Sequence, residues 1–269
     1  MTDALKVATW NINSVRLRAG LVERLLTEEA PDVLCLQETK CPDAAFPEKG
    51  FRQLGYEHIA MKGQKGYHGV AVLSKRPLSA VDTRDFCEKG DARHLAVTLP
   101  FAGADVVIHN FYVPSGGDEP DPKVNDKFAH KLDFLAEMKD WLTGDETARP
   151  AILVGDLNVA PLEEDVWSHK QLLKVVSHTP VETDLLKAVQ VSGGWVDVMR
   201  RTVPETEKLY TWWSYRARDW QTSNRGRRLD HVWATPALAP SYRDMRVVAD
   251  ARGWEKPSDH VPVIARFEG

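Results

Sequence analysis

Four short runs of apolar and β-branched residues each end on a side chain able to carry charge or bind an ion, and this constrains the chain more than any other feature. Asn11 follows Val7-Ala8-Thr9-Trp10, Glu38 follows Val33-Leu34-Cys35-Leu36-Gln37, Tyr112 follows the run 106–111, and Asp156 with Asn158 follows Ile152-Leu153-Val154-Gly155. Asp230 lies at the start of the run 229–234, and Asp259-His260 sits just before the run 261–267. Strands that finish on one rim of a sheet gather sequence-distant side chains on a rigid frame. The pattern predicts one shared rim.

Strands are expected at residues 6–10, 33–36, 70–74, 95–99, 105–111, 151–154, 229–234 and 261–267. A helix is expected over 15–29, with Ser14 as N-cap and an apolar stripe of Leu21, Val22, Leu25 and Leu26. A second is expected over 123–142, where Val124, Phe128, Leu132, Leu135 and Met138 recur at three- and four-residue steps and Gly144 lies just past the end. No internal repeat or long Pro/Gly linker interrupts this alternation, so residues 1–269 read as a single domain. With 43% hydrophobic residues the chain can bury a large core, which excludes intrinsic disorder. No apolar run exceeds four residues and the start lacks a basic, apolar leader, so a soluble cytoplasmic protein with no membrane partner is expected. Cys35, Cys41 and Cys87 form no C-x-x-C pair, which speaks against a disulfide framework and a structural zinc site.

If Glu38, Asp156, Asp230 and Asp259 converge, each pair repels by roughly 1–4 kcal/mol, and the cluster needs a cation. Oxygen donors without thiolates or paired histidines favour Mg²⁺, with Mn²⁺ as substitute, over Zn²⁺. Walker A, nucleophile-elbow and H-E-x-x-H patterns are absent. The loop 63–69 is glycine-rich but spaced wrongly for a dinucleotide, and its Lys65 is a candidate DNA contact.

A net charge of -4 gives no global pull on a polyanion, but residues 216–228 hold Arg216, Arg218, Arg225, Arg227 and Arg228 against the single acid Asp219. Tyr210, Trp212, Trp213, Tyr215 and Trp220 run into this island. Arginines interleaved with aromatics suit a nucleic acid, because guanidinium groups bind phosphate while ring faces meet an unstacked sugar or base. A β-hairpin with its aromatics turned into the core is the structural alternative.

Five blocks now resemble one family: Thr9-Trp10-Asn11-Ile12-Asn13-Ser14, Leu36-Gln37-Glu38-Thr39-Lys40, Gly155-Asp156-Leu157-Asn158, Asn224-Arg225-Gly226-Arg227-Arg228-Leu229-Asp230 and Glu255-Lys256-Pro257-Ser258-Asp259-His260. They are similar, in order and across nearly the whole chain, to the signature blocks of the exonuclease III family of apurinic/apyrimidinic endonucleases, within the endonuclease/exonuclease/phosphatase superfamily. The resemblance implies a four-layer α/β sandwich, two packed mixed β-sheets flanked by helices. It also implies divalent-metal-dependent hydrolysis 5′ to an abasic site, with 3′-to-5′ exonuclease or 3′-phosphodiesterase activity, by a monomer acting on double-stranded DNA with abasic or 3′-blocked sites.

Position by position, the resemblance makes Glu38 the principal metal ligand, assisted by Asn11 and Asp259. Asp156 is either the base for the attacking water or a metal holder, and Asn158 orients that water or the phosphate and is a further candidate metal ligand. Tyr112 and His260 contact phosphate, and Asp230 fixes the His260 imidazole. Trp212 and Leu229 resemble two walls of a pocket for an extrahelical abasic sugar, with Arg216, Arg218, Asn224 and Arg225 as further DNA contacts. Arg227 departs from the family, which generally places an apolar residue there. Pointing inward it makes the pocket smaller and charged, and outward it adds a phosphate contact. Two rival readings remain at this point, a phosphatase of small phosphate esters on the same rim and a non-catalytic nucleic-acid-binding module.

Overall fold

The computed structural model describes residues 3–217 and 219–269. Arg218 therefore lies outside the described residues. In chain order the strands are β1 (Ala4–Asn11), β2 (Val33–Gln37), β3 (His58–Lys62), β4 (Val70–Ser74), β5 (Ala80–Asp82), β6 (His94–Phe101) and β7 (Ala104–Tyr112). They continue as β8 (Ala151–Asp156), β9 (Val196–Asp197), β10 (Trp212–Trp213), β11 (Gly226–Arg227), β12 (Asp230–Ala234), β13 (Tyr242–Val247) and β14 (Val263–Glu268).

Two six-stranded mixed sheets form, in the orders β13-β14-β1-β2-β4-β3 and β5-β6-β7-β8-β12-β9. Period-two alternation assigns each side chain a layer. In β8, Ile152 and Val154 join Val7, Val72, Ile108 and Val263 between the sheets, while Leu153 faces outward onto Phe134, Leu135 and Leu186. Those last three come from the helices Asp126–Trp141 and Pro180–Ser192. On the other outer face, Trp10, Leu34 and Leu36 pack against Val22, Leu25 and Phe51 of the helices Ala19–Glu28 and Glu48–Gln53. The result is helix, sheet, sheet, helix, which is the expected four-layer sandwich. None of the described helices is long and apolar enough to cross a membrane.

Most strand boundaries move by one or two residues from expectation, mostly outward as ladder pairing extends the apolar runs. Two helix starts require correction. The first helix begins at Ala19, not Val15, and Ser14 is not its cap. Ser14 adopts a left-handed φ of 85°, and the N–H groups of Ser14 and Val15 donate to Glu38 O and Thr39 O at 2.7 and 3.1 Å, so these residues brace the end of β2. The second helix begins at Asp126 because the Asn125 side chain caps it by accepting from Lys127 N, which leaves Val124 outside the helix and 73% exposed.

The basic island also divides. Arg228 is fully buried, with Nε 2.6 Å from Asp165 Oδ1 and Nη1 2.6 Å from Asp197 Oδ2, and Arg200 pairs with the same Asp165. Its charge is spent inside the protein and adds nothing to the surface. Burial alone would raise the Asp165 carboxyl, but Arg228 and then Arg200 outweigh it and hold its pKa below the ordinary value. Asp165→Asn is expected to cost about 3–5 kcal/mol, since it leaves buried guanidinium charge uncompensated. Its stabilising contribution should be complete above the ordinary carboxylate pKa of about 3.9 and fade as pH falls through the lower folded value. Urea unfolding of both proteins checks this, and a difference below about 1 kcal/mol at neutral pH would contradict it.

Candidate active site

Parallel pairing puts the carboxyl ends of four strands on one rim. β1 runs parallel to β2 with Asn11 opposite Gln37, and β7 runs parallel to β8 with Tyr112 opposite Asp156. β12 is antiparallel to β8, so the residue that opens it, Asp230, lies directly across from Asp156. Gly155 makes this approach possible. At its φ of 139° an added Cβ would sit 2.0 Å from Phe111 O. Between the sheets, Gln37 Nε2 donates to Asn110 Oδ1 at 2.7 Å and to Thr9 Oγ1 at 2.9 Å, a buried polar bridge that locks the two rims together.

Asp156 is at the centre of the group. Its carboxylate accepts from Asn158 N at 3.0 Å, Asn158 Nδ2 at 3.1 Å and Asn11 Nδ2 at 2.9 Å. Asn11 Nδ2 also donates to Glu38 Oε1 at 2.8 Å, so one amide ties the two carboxylates together. His260 stands on the other side, with Nδ1 2.8 Å from Asp230 Oδ2 and Nε2 3.6 Å from Asp156 Oδ2. Thr211 Oγ1 donates to Asp230 Oδ2 at 2.6 Å and accepts from the Leu229 and Asp230 N–H groups, which fixes the Asp230 carboxylate.

Electrostatics follow from this packing. Burial pushes the Asp156 carboxyl up to about 7, against the pull of His260. Burial would lower the His260 pKa, but Asp230 and Asp156 outweigh it and push it up to about 10, so the imidazole is a cation with two donors. Burial would raise the Glu38 carboxyl too, yet Lys40, 2.7 Å away, and Asn11 hold it below the ordinary range. For Tyr112, burial followed by the Glu38 and Asp156 charges pushes the phenol well above its ordinary value, leaving a neutral hydroxyl donor that faces Glu38.

The sequence expectations meet this geometry unevenly. Asn11, Glu38, Asp156, Asn158, Asp230 and His260 come together in one hydrogen-bonded group. Tyr112 joins it through Glu38 and carries the Arg93 guanidinium 4.9 Å from its ring centre. Asp259 sits aside, its oxygens accepting from Trp212 Nε1 at 2.9 Å and Asn13 Nδ2 at 3.2 Å. Asn158 is held from behind, its side chain donating to Val113 O and its carbonyl accepting from the buried Lys131, which pairs with Glu182. Lys40, Thr211, Lys131 and Glu182 carried no sequence signal. Lys40 alone lies within one of the five family-like blocks.

A cleft of about 710 Å³ opens beside this group, lined by Glu38, Asn158 and His260 and by Trp212, Leu229 and Arg227. Arg216 and Arg225 line it as well and are exposed, the latter over the Trp167 ring at 4.7 Å. The side chain of Asn224 is exposed but accepts from Trp213 Nε1, and Lys65 lies exposed on its loop outside the cleft lining. The aromatic segment only partly forms the inward hairpin: β10 pairs with β11, Tyr210 and Trp213 are buried, and Trp212 reaches the cleft. A smaller cleft of about 340 Å³ on the other side of Glu38 is lined by Tyr112, Arg93, Lys40 and His68.

Ligand atoms of Asp156, Asp230 and His260 lie within 4.8 Å of one another, an acidic group that can hold a metal ion. The donor chemistry is more specific. His260 is already engaged between the two aspartates as a cation, whereas the Glu38 and Asp156 carboxylates are joined only by an amide N–H. Two closely spaced carboxylates offering oxygen fit a hard divalent cation.

A family model described as endonuclease/exonuclease/phosphatase matches residues 8–260. Exodeoxyribonuclease III of Haemophilus influenzae is 30% identical over 273 residues, covering 98% of this chain and 100% of that protein. An AP endonuclease structure from Archaeoglobus fulgidus superposes with a TM-score of 0.89 at 36% identity, covering 98% of this chain and 99% of that one. A 3′ phosphatase from Neisseria, solved with a product DNA hairpin, gives 0.89 at 32% identity over 98% of this chain and 100% of that one.

Proposed function

The chain belongs to the endonuclease/exonuclease/phosphatase family, and on that premise we propose that it is a DNA-repair nuclease, an exodeoxyribonuclease III-like AP endonuclease acting as a single domain on duplex DNA. It hydrolyses the phosphodiester 5′ to an abasic site, leaving a 3′-hydroxyl, and clears blocked 3′ ends by the same bond cleavage. The observation that carries this reading is the Glu38–Asn11–Asp156–His260–Asp230 chain beside an arginine-lined cleft.

Asp156 takes the proton of the attacking water. Asn158 holds that carboxylate through two hydrogen bonds and orients the water or the phosphate. The doubly protonated His260, fixed by Asp230, donates to a non-bridging phosphate oxygen, and the neutral Tyr112 hydroxyl is a further phosphate donor. Glu38 and Asp156, with Asn11 between them, would hold Mg²⁺, for which Mn²⁺ substitutes. When bound, that ion supplies charge neutralisation at the departing 3′-oxygen. Trp212 and Leu229 provide the apolar side of the cleft, while Arg216 and Arg225 grip phosphates.

A duplex carrying one tetrahydrofuran residue and a nicked duplex ending in a 3′-phosphate test this directly. With Mg²⁺ the expected products are a nick 5′ to the tetrahydrofuran and a free 3′-hydroxyl, both abolished by a chelator. No product from either duplex with Mg²⁺ or Mn²⁺ would end the reading, and turnover confined to small phosphate esters would replace it with a phosphatase.

A further inference from the structure

Two neighbouring arginines have opposite fates. The fold neutralises Arg228 with Asp165 and Asp197, yet provides no carboxylate within ion-pair distance of Arg227 among the described residues. Arg227 is nonetheless tightly held. Its guanidinium lies over the Trp212 ring, 5.2 Å from the centroid, and Nη1 donates to Val176 O at 3.0 Å and to Ser177 Oγ at 2.7 Å. Ser177 is fixed in turn, because its N–H donates to both oxygens of the buried Glu182 at 2.9 Å. The Arg227 Nε is buried and has no acceptor. Burial lowers the Arg227 pKa, opposed by Glu182, whose charge Lys131 already meets.

A clamped, half-buried guanidinium with no carboxylate partner among the described residues, lining the same cleft as Asn158 and His260, has the properties of an anion subsite rather than of an apolar wall. We propose that Arg227 is a specificity-determining residue that tunes this site toward 3′-terminal phosphate ends over internal abasic sugars. The inference rests on the nuclease reading and deepens it. At a 3′-phosphate terminus the phosphomonoester carries close to two negative charges and no following sugar, so its extra charge meets the guanidinium. At an internal abasic site the diester carries one charge, and a neutral deoxyribose must displace water from Arg227 while offering it no anion. The first case repays desolvation of the arginine and the second does not.

The reaction on the favoured substrate is hydrolysis. Water attacks phosphorus and gives a proton to Asp156, the P–O3′ bond breaks with its electron pair going to O3′, and O3′ takes a proton from solvent. The products are a 3′-hydroxyl and inorganic phosphate.

The test is kcat/KM on the nicked 3′-phosphate duplex and on the tetrahydrofuran duplex, for the full chain and for Arg227→Leu and Arg227→Lys. The unaltered protein should prefer the 3′-phosphate by about ten-fold or more. Arg227→Leu should lower that ratio by at least about ten-fold, and Arg227→Lys, which keeps the charge, should restore part of it. Competition by inorganic phosphate against incision gives a second readout and should weaken about ten-fold in Arg227→Gln, which serves also if the leucine variant folds poorly. A ratio unchanged by Arg227→Leu, equal losses on both duplexes, or phosphate inhibition unaltered in Arg227→Gln would overturn the inference while leaving the nuclease reading intact. No turnover on either duplex by the unaltered protein would remove both.

Discussion

Asp156→Asn is expected to lower kcat on either DNA substrate by about 10²- to 10⁴-fold, the range for loss of a positioned general base, while the protein still folds and retains DNA. The isosteric amide keeps an oxygen for the Asn158 N–H, so the backbone bond that holds this loop is retained. Its other end, however, becomes an NH₂ facing Asn11 Nδ2, Asn158 Nδ2 and His260 Nε2, all of them donors. That loss is offset by removal of a buried charge, since burial first, and then Asp230 and Glu38, disfavour the ionised Asp156 against the pull of His260. Stability should therefore change little while the proton acceptor disappears. The diagnostic experiment is single-turnover cleavage with saturating enzyme, paired with equilibrium binding to uncleaved duplex. A single-turnover rate within ten-fold of the unaltered protein would remove Asp156 from its role, and lost binding with an intact cleavage step would reassign it to substrate capture.

The way Asp156 and its neighbours could be anticipated shows which physics is local. Asn11, Glu38, Tyr112 and Asp156 each close an apolar run buried on both faces, and strands that enter parallel ladders must finish on the same side, so the rim was implicit in the run endings. Asp230 was legible for the complementary reason, as the first residue of an antiparallel neighbour. The partners that orient these groups were not. Thr211 reaches Asp230 only because the aromatic segment is pinned to residues 259–261, with Trp213 N donating to Asp259 O and Val261 N to Thr211 O. Lys131 meets the Asn158 carbonyl from inside a helix whose stripe reads as ordinary apolar packing. Arg227 and Arg228 are adjacent and chemically identical in sequence, and only the β10–β11 pairing and the positions of Asp165 and Asp197 decide that one faces the cleft and the other the interior. Ser14 misled because a serine before an apolar stripe is the ordinary signature of a cap, whereas here its N–H was claimed by the carbonyl of Glu38.

Glu38→Gln should reduce activity by about 10²- to 10³-fold at moderate Mg²⁺, a loss of several kcal/mol of metal-derived stabilisation, and should raise the metal concentration needed for half-maximal rate. Glu38 sits at a left-handed φ of 50°, a conformation a glutamate adopts at a cost, and its carbonyl accepts from Ser14 N in that geometry. The side chain is thereby aimed between Asn11 and Lys40 at the point where the two clefts meet. Glutamine preserves the length and one acceptor for Asn11 but removes the charge that Lys40 and a divalent cation both seek. Lys40 separates the two possible causes. If Glu38 served only as a structural partner of Lys40, Lys40→Met would reproduce the Glu38→Gln defect, and added metal would rescue neither. If Glu38 holds the cation, Lys40→Met should leave the metal requirement unchanged or lower it, because a competing positive charge has gone, while Glu38→Gln should recover activity as Mg²⁺ or Mn²⁺ is raised. Metal titrations of both variants on the 3′-phosphate duplex decide between them, and identical metal curves for Glu38→Gln and the unaltered protein would exclude Glu38 as a ligand.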